Sequence, residues 1–159
     1  AVSDRAERRR RQRDREKQKV HTRLSGRVEA GREGILELRL SHPAESDHSK
    51  ARVVRAIIDT GATNSAIRAD IAAALGLPII GTQLVDTAST GGKAIPCDTF
   101  LGKLWLGQPI VTTVKQLTLM PLKDEMLFGL DAILGGILTV DMVSGVWSWE
   151  LPTSSLRQS

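Results

Sequence analysis

The chain has 159 residues, a formal net charge of +4 and a pI near 9.6. That is room for one domain and a tail, because domains commonly run about 100–200 residues, and the length argues against a two-lobed enzyme with two full cores. The single cysteine, Cys97, excludes an internal disulfide and any multi-cysteine metal centre.

The positive charge is concentrated at the start. From Asp4 to Lys19 there are nine Lys or Arg against four Asp or Glu, a net +5, and the remainder carries −1. The run Arg5–Lys19 has no apolar stripe at helical or strand period. Glu7 and Arg11 form a favourable i,i+4 pair, so the segment reads as a solvated arm or an exposed, fraying helix over residues 1–25. Weak polyanion binding by this arm is a further expectation, although no aromatic residue is interleaved to stack on bases.

The body is read as residues 26–152, followed by a tail at 153–159. Ile35, Leu36, Leu38 and Leu40 alternate partly with Glu37 and Arg39, the pattern of a strand with one buried face. Ser41 to Lys50 is a polar loop. Val53 to Ile58 is a second strand, β-branched and mostly apolar, which runs into Asp59. Asp70 to Leu75 is a short helix stopped by Gly76 and Pro78. Strands over Thr82–Ala88 and from Lys93 to about Leu106 flank the turn Ser89-Thr90-Gly91-Gly92. Ile110–Val114 and Gln116–Met120 read as two short apolar pieces. Ile133 and Leu134 suit a brief helix before Gly135-Gly136, and Leu138–Met142 with Val146–Leu151 suit a hairpin. Short strands, frequent glycines and one or two small helices predict an all-β barrel or sandwich. No secretory signal and no apolar run of about 20 residues is visible, which favours a cytoplasmic location without fixing it.

The stretch that carries chemistry is Ala56-Ile57-Ile58-Asp59-Thr60-Gly61-Ala62-Thr63-Asn64-Ser65. An apolar strand delivers one carboxylate into a tight turn closed by a glycine, which permits unusual backbone angles and close approach of a ligand. Alone, Asp-Thr-Gly also suits an Asx-type turn at a strand end. In context the region resembles the active-site signature of retropepsin-like aspartic proteases. Asp59 then matches the catalytic aspartate, with Thr60, Gly61 and Ala62 at the next three positions. The Gly91-Gly92 turn lies where that family places the tip of its flap hairpin, and Met126–Leu134 resembles its second signature. Leu130 stands where viral members typically carry Arg, so a close copy of the viral dimer interface is not implied.

The resemblance implies a closed retropepsin-like β-barrel with one or two short helices, active as a homodimer on polypeptide substrates without metal or organic cofactor. Such proteases need two carboxylates about one water, and like charges so close titrate as a pair. Asp86-Thr87-Ala88 is the nearest second match, but Ala replaces the glycine and only 27 residues separate it from Asp59. Asp86 therefore reads as a strand residue leading into the flap. The second carboxylate is expected from a second copy's Asp59. The resemblance further implies Thr60 hydroxyls tying the two turns together, and a substrate held by Thr63, by the turn, and by a flap of Ser89, Thr90, Gly91 and Gly92.

His42, Asp47 and His48 as metal ligands, and Cys97 as a nucleophile, both read better as ordinary loop and strand residues. Trp147 and Trp149 share one strand face and suit core or interface packing. A catalytically silent dimerisation or peptide-binding module on the same fold, or a nucleic-acid-associated protein working through its basic arm, are the rival functions.

Overall fold

The computed structural model describes residues 2–17, 21–28, 34–86 and 91–152. The N-terminal run is a helix, α1 (Val2–Lys17), with i,i+4 pairs Arg11–Glu7 at 2.9 Å and Arg8–Asp4 at 3.8 Å. All four side chains are well exposed, so these pairs add little stability. No helix among the described residues is long and apolar enough to cross a membrane.

The body is built from ten strands: β1 (His21–Val28), β2 (Gly34–Ser41), β3 (Arg52–Ile58), β4 (Ala66–Ile67), β5 (Ile79–Val85), β6 (Ile95–Leu106), β7 (Val111–Leu119), β8 (Met126–Phe128), β9 (Ile137–Asp141) and β10 (Val146–Pro152). Two short helices punctuate them, α2 (Ala69–Ala74) and α3 (Leu130–Ile133), with a 3-10 turn at His48–Lys50. The strands run in the order β5-β6-β7-β4-β8-β3-β2-β1-β10-β9, and β6 also pairs with β2. That extra pairing closes β6, β7, β4, β8, β3 and β2 into a six-stranded barrel, which removes the edges of the central sheet. The long β6 serves two purposes: its first half pairs with β5 outside the ring, and its second half with β7 and β2 inside it.

Alternation of side chains explains where the core sits. On β2 and β3, Leu36, Leu38, Leu40, Val54, Ala56 and Ile58 point inward, with Glu37 and Arg55 outward. They meet Ile67, Ile71, Leu104, Leu117, Met126 and Phe128, and each large aliphatic side chain buried there contributes about 1.5–3 kcal/mol. Trp149 is 1% exposed, packs edge-on against Phe128 with ring centroids 5.7 Å apart, and donates from Nε1 to Ile133 O at 2.9 Å. It is thus a core residue that ties β10 to α3. Trp147 packs against the same cluster.

The sheet corrects the sequence reading in two places. The first strand starts at His21, so residues up to Ser25 that composition assigned to the arm lie in the sheet; Leu24 is in the core and β1 pairs with β10 along its length. Ile110–Val114 and Gln116–Met120 are one strand, β7, because in–out alternation continues through Lys115-Gln116. The tail at 153–159 lies outside the described residues.

The β9–β10 turn carries a pH-dependent element. Asp141 Oδ1 accepts from Val143 N at 2.9 Å and Ser144 N at 3.2 Å. Hydrogen bonding from the Ser144 side chain, then from these two backbone groups, holds its carboxyl below the ordinary 3.8. Since the folded value lies below the unfolded one, ionised Asp141 stabilises the hairpin above the ordinary carboxylate range, and that contribution is lost as pH falls through the lowered value. Asp141→Asn is therefore expected to speed amide exchange in the hairpin at pH 7. Once pH has fallen below the lowered value, variant and wild type should converge.

Candidate active site

The position of Asp59 follows from the way β3 and β4 flank β8. Strand β3 runs parallel to β8, with Ile58 opposite Phe128, and β4 runs antiparallel on the other side of β8. The connection from β3 to β4 must therefore cross the end of β8, and it carries Asp59 to Ser65 over that end. Asp59 N donates to Phe128 O at 3.0 Å, so the strand geometry persists up to the carboxylate-bearing residue. The side chain then turns back: Asp59 Oδ1 accepts from Gly61 N at 2.9 Å, and Ala62 N donates to Asp59 O at 3.3 Å.

Gly61 has a different role from the one its sequence position suggests. Its φ is not in the left-handed region, unlike that of Gly91 or Gly92. A Cβ there would lie 3.2 Å from Asp59 Oδ1, so its value is the close approach of its backbone to the carboxylate.

The second signature locks this turn from behind. Leu130 N donates to Ala62 O at 2.8 Å and Asp131 N to Thr63 O at 3.2 Å. Asp131 Oδ1 accepts from Ser65 N at 2.9 Å and from Ser65 Oγ at 2.6 Å, while Ser65 Oγ accepts from Gly129 N at 3.0 Å. Ser65 is fully buried. A Cβ at Gly129 would sit 2.7 Å from the backbone of Asn64, so only glycine lets the two segments pack this closely. Leu130 contributes its backbone to this lock.

Asp59 opens into a cavity of about 690 Å³, whose wall also includes Gly61, Ala62, Thr63, Asn64, Leu84, Val85, Asp86, Thr118, Met120, Leu122 and Leu127. Thr60 is exposed on the turn and is not part of the wall. Gly91 and Gly92, with φ of 65° and 77°, form the turn of the β5–β6 hairpin and are exposed away from the wall. Ser89 and Thr90 lie outside the described residues. The sequence reading did not identify Ser65, Gly129 and Asp131 as a lock, nor Asp86 as part of the wall. The polar residue after Phe128-Gly129 in the second signature was the one available signal.

Other candidates have structural roles. His42 Nδ1 accepts from Ala44 N at 3.0 Å, Asp47 caps the 3-10 turn through Ser49, and His48 packs edge-on against Trp105. Among the described residues, no group of three His, Cys, Asp or Glu converges as metal ligands. A separate groove of about 440 Å³ is lined by Arg23, Glu37, Arg39, His48 and Trp105 among others, and shares no residue with the Asp59 cavity. Arg39 is engaged there with the carbonyls of His48 and Ala51.

Residues 48–134 match the sequence profile of a family described as "gag-polyprotein putative aspartyl protease". The matched span, just over half the chain, runs from the 3-10 turn to the end of α3 and contains both signatures and the hairpin between them. No curated protein matches the chain. Among solved structures, it is similar to a retropepsin-like aspartic protease from Rickettsia conorii, with a TM-score of 0.55 and 11% identity over 83% of this chain and 93% of that one. At that identity the likeness concerns the fold, and it agrees with the closed barrel described above. The chain accordingly belongs to the retroviral-type, retropepsin-like aspartyl protease family.

Proposed function

We propose that the protein is an aspartic endopeptidase in which Asp59 and the Asp59 of a second copy share one catalytic water. The observation that carries this reading is a carboxylate on a turn braced from both sides, open to a largely apolar cavity of peptide-side-chain size. One carboxylate takes a proton from the water as it attacks the scissile carbonyl, while the other, protonated, donates to the carbonyl oxygen. The tetrahedral intermediate then collapses as a proton passes to the leaving amine. Gly61 N–H, bonded to Asp59 Oδ1, fixes the carboxylate's orientation. In this reading Thr60, which is exposed, contacts the partner's turn, and the β5–β6 hairpin covers an extended substrate.

Several features support the dimer. The two Asp59 groups must approach across a two-fold axis beside the turn. Strand β9 leaves α3, whose backbone is bonded to that turn, and it is an open edge of the sheet. Leu134 and Ile137, at the approach to and start of this strand, are 70% and 60% exposed. Two copies of an edge strand paired antiparallel are related by a two-fold axis, so the same operation would complete the sheet and the site. Sedimentation should therefore show a dimer at concentrations where peptide is cleaved. Ile137→Lys should shift the equilibrium to monomer, and activity should fall in parallel and recover at higher protein concentration. An active monomer would contradict this. The proposed chemistry is tested by hydrolysis of a peptide pool and its inhibition by a statine-type compound, whose hydroxyl mimics the tetrahedral intermediate.

A further inference from the structure

The second aspartate of the sequence, Asp86, lies in the wall of the cavity that holds Asp59. It follows the last residue of β5, Val85, which pairs with Ile95 as the hairpin leaves the barrel. The rest of the wall is mainly apolar, from Leu84, Val85, Met120, Leu122 and Leu127, with Thr63, Asn64 and Thr118 as neutral polar groups. Among the described residues, the ionisable groups lining it are Asp59 and Asp86, both carboxylates; no Lys, Arg or His lines it.

An apolar trough with a carboxylate in its wall fits a side chain with a methylene stem and a cationic head. Lys and Arg have that form. Glu or Asp in the same place would meet a wall that carries two carboxylates. A second catalytic role is a poorer account, because Asp86-Thr87-Ala88 lacks the glycine whose backbone approaches the carboxylate at Asp59.

We propose that Asp86 is a specificity-determining residue that selects peptide substrates carrying Lys or Arg close to the scissile bond. This rests on the peptidase reading and goes beyond it by naming the substrate class. In a two-fold dimer each half of the cleft carries its own Asp86. The preference then extends to both sides of the cleaved bond, and peptides with a cation on each side are the best substrates. Because Asp86 is exposed, the preference weakens as salt is added.

The test uses the full chain and peptides that differ only in placing Lys, Arg, Leu or Glu on either side of the cleaved bond. The wild type is expected to favour Lys and Arg over Leu in kcat/KM, and to cleave the Glu peptides worst. Asp86→Asn should lower the cation-to-Leu ratio by about two- to fivefold, the worth of an exposed ion pair, and Asp86→Lys should move the preference toward Glu. An unchanged ratio in both variants, or an equal loss on every peptide, would overturn the assignment. Binding of the same peptides to Asp59→Asn protein, with and without Asp86→Asn, separates this proposal from the peptidase reading. Cation-selective binding that depends on Asp86 without any cleavage by the wild type would sink the peptidase reading and keep the role of Asp86. Cleavage without cation selectivity would do the reverse.

Discussion

Asp59→Asn is expected to lower the rate of peptide hydrolysis by about 10²–10⁴-fold, the usual worth of a positioned acid–base group, while leaving the fold intact. The two halves of that expectation come from different atoms. Asparagine keeps an Oδ1 that can accept from Gly61 N, now at 2.9 Å, and keeps the backbone bond from residue 59 to Phe128 O at 3.0 Å. What it loses is the ability to exchange a proton with water. Its thermal midpoint should therefore stay near that of the wild type while kcat/KM collapses. A variant that is inactive and also unfolded would not support a chemical role, and a variant with wild-type turnover would remove Asp59 from the reaction.

Asp131→Ala is expected to act in the opposite way, first on the fold and through it on activity. Removing the half-buried carboxylate strips the acceptor from Ser65 N and Ser65 Oγ, at 2.9 and 2.6 Å, and Ser65 is itself fully buried. Hydrogen bonds to charged groups contribute about 1.5–3 kcal/mol each, and the orphaned buried donors add their own cost, so a loss of about 3 kcal/mol is expected. For a chain of this size that lowers the melting midpoint by about 6–12 °C. The Asp59 turn loses its rear support at the same time, so activity should fall even where the variant is still folded. Asp131→Asn, which retains one acceptor oxygen, should recover most of both losses. Equal damage from Asn and Ala would show that charge, rather than an acceptor at this point, holds the lock.

Much of the fold was legible because its signals are local. The β-branched run Val53–Ile58, the Ala-rich helix ended by Gly76, and the glycine turns at 91–92 and 145 each specify their own backbone. The missed parts depend on partners distant in sequence. Strand β1 reads as polar, with Thr22, Arg23, Ser25 and Arg27, and exists because β10 and β2 pair with it from either side. Strand β4 has two residues, too few for any periodicity, and owes its place to β7 and β8. In β7 the pair Lys115-Gln116 interrupts the apolar run but not the alternation.

The same division runs through the candidate site. Asp59 stands out because the turn advertises itself within five residues. The lock among Ser65, Gly129 and Asp131 is invisible until β8 is threaded between β3 and β4. Asp86 is a comparable case: along the chain it is a strand end that lacks a glycine, and only the folded hairpin brings it to the wall of the Asp59 cavity.

The claim that two copies share one site has a direct measurement. Wild-type and Asp59→Asn chains are mixed at fixed total concentration, allowed to exchange subunits, and assayed for peptide cleavage. If each active site needs both Asp59 residues, activity follows the square of the wild-type fraction, and an equal mixture retains about one quarter of the full rate. If one chain suffices, activity follows the fraction itself, and the equal mixture retains about one half. The quadratic curve is the predicted result. A straight line, with exchange verified, would contradict the shared-dyad account.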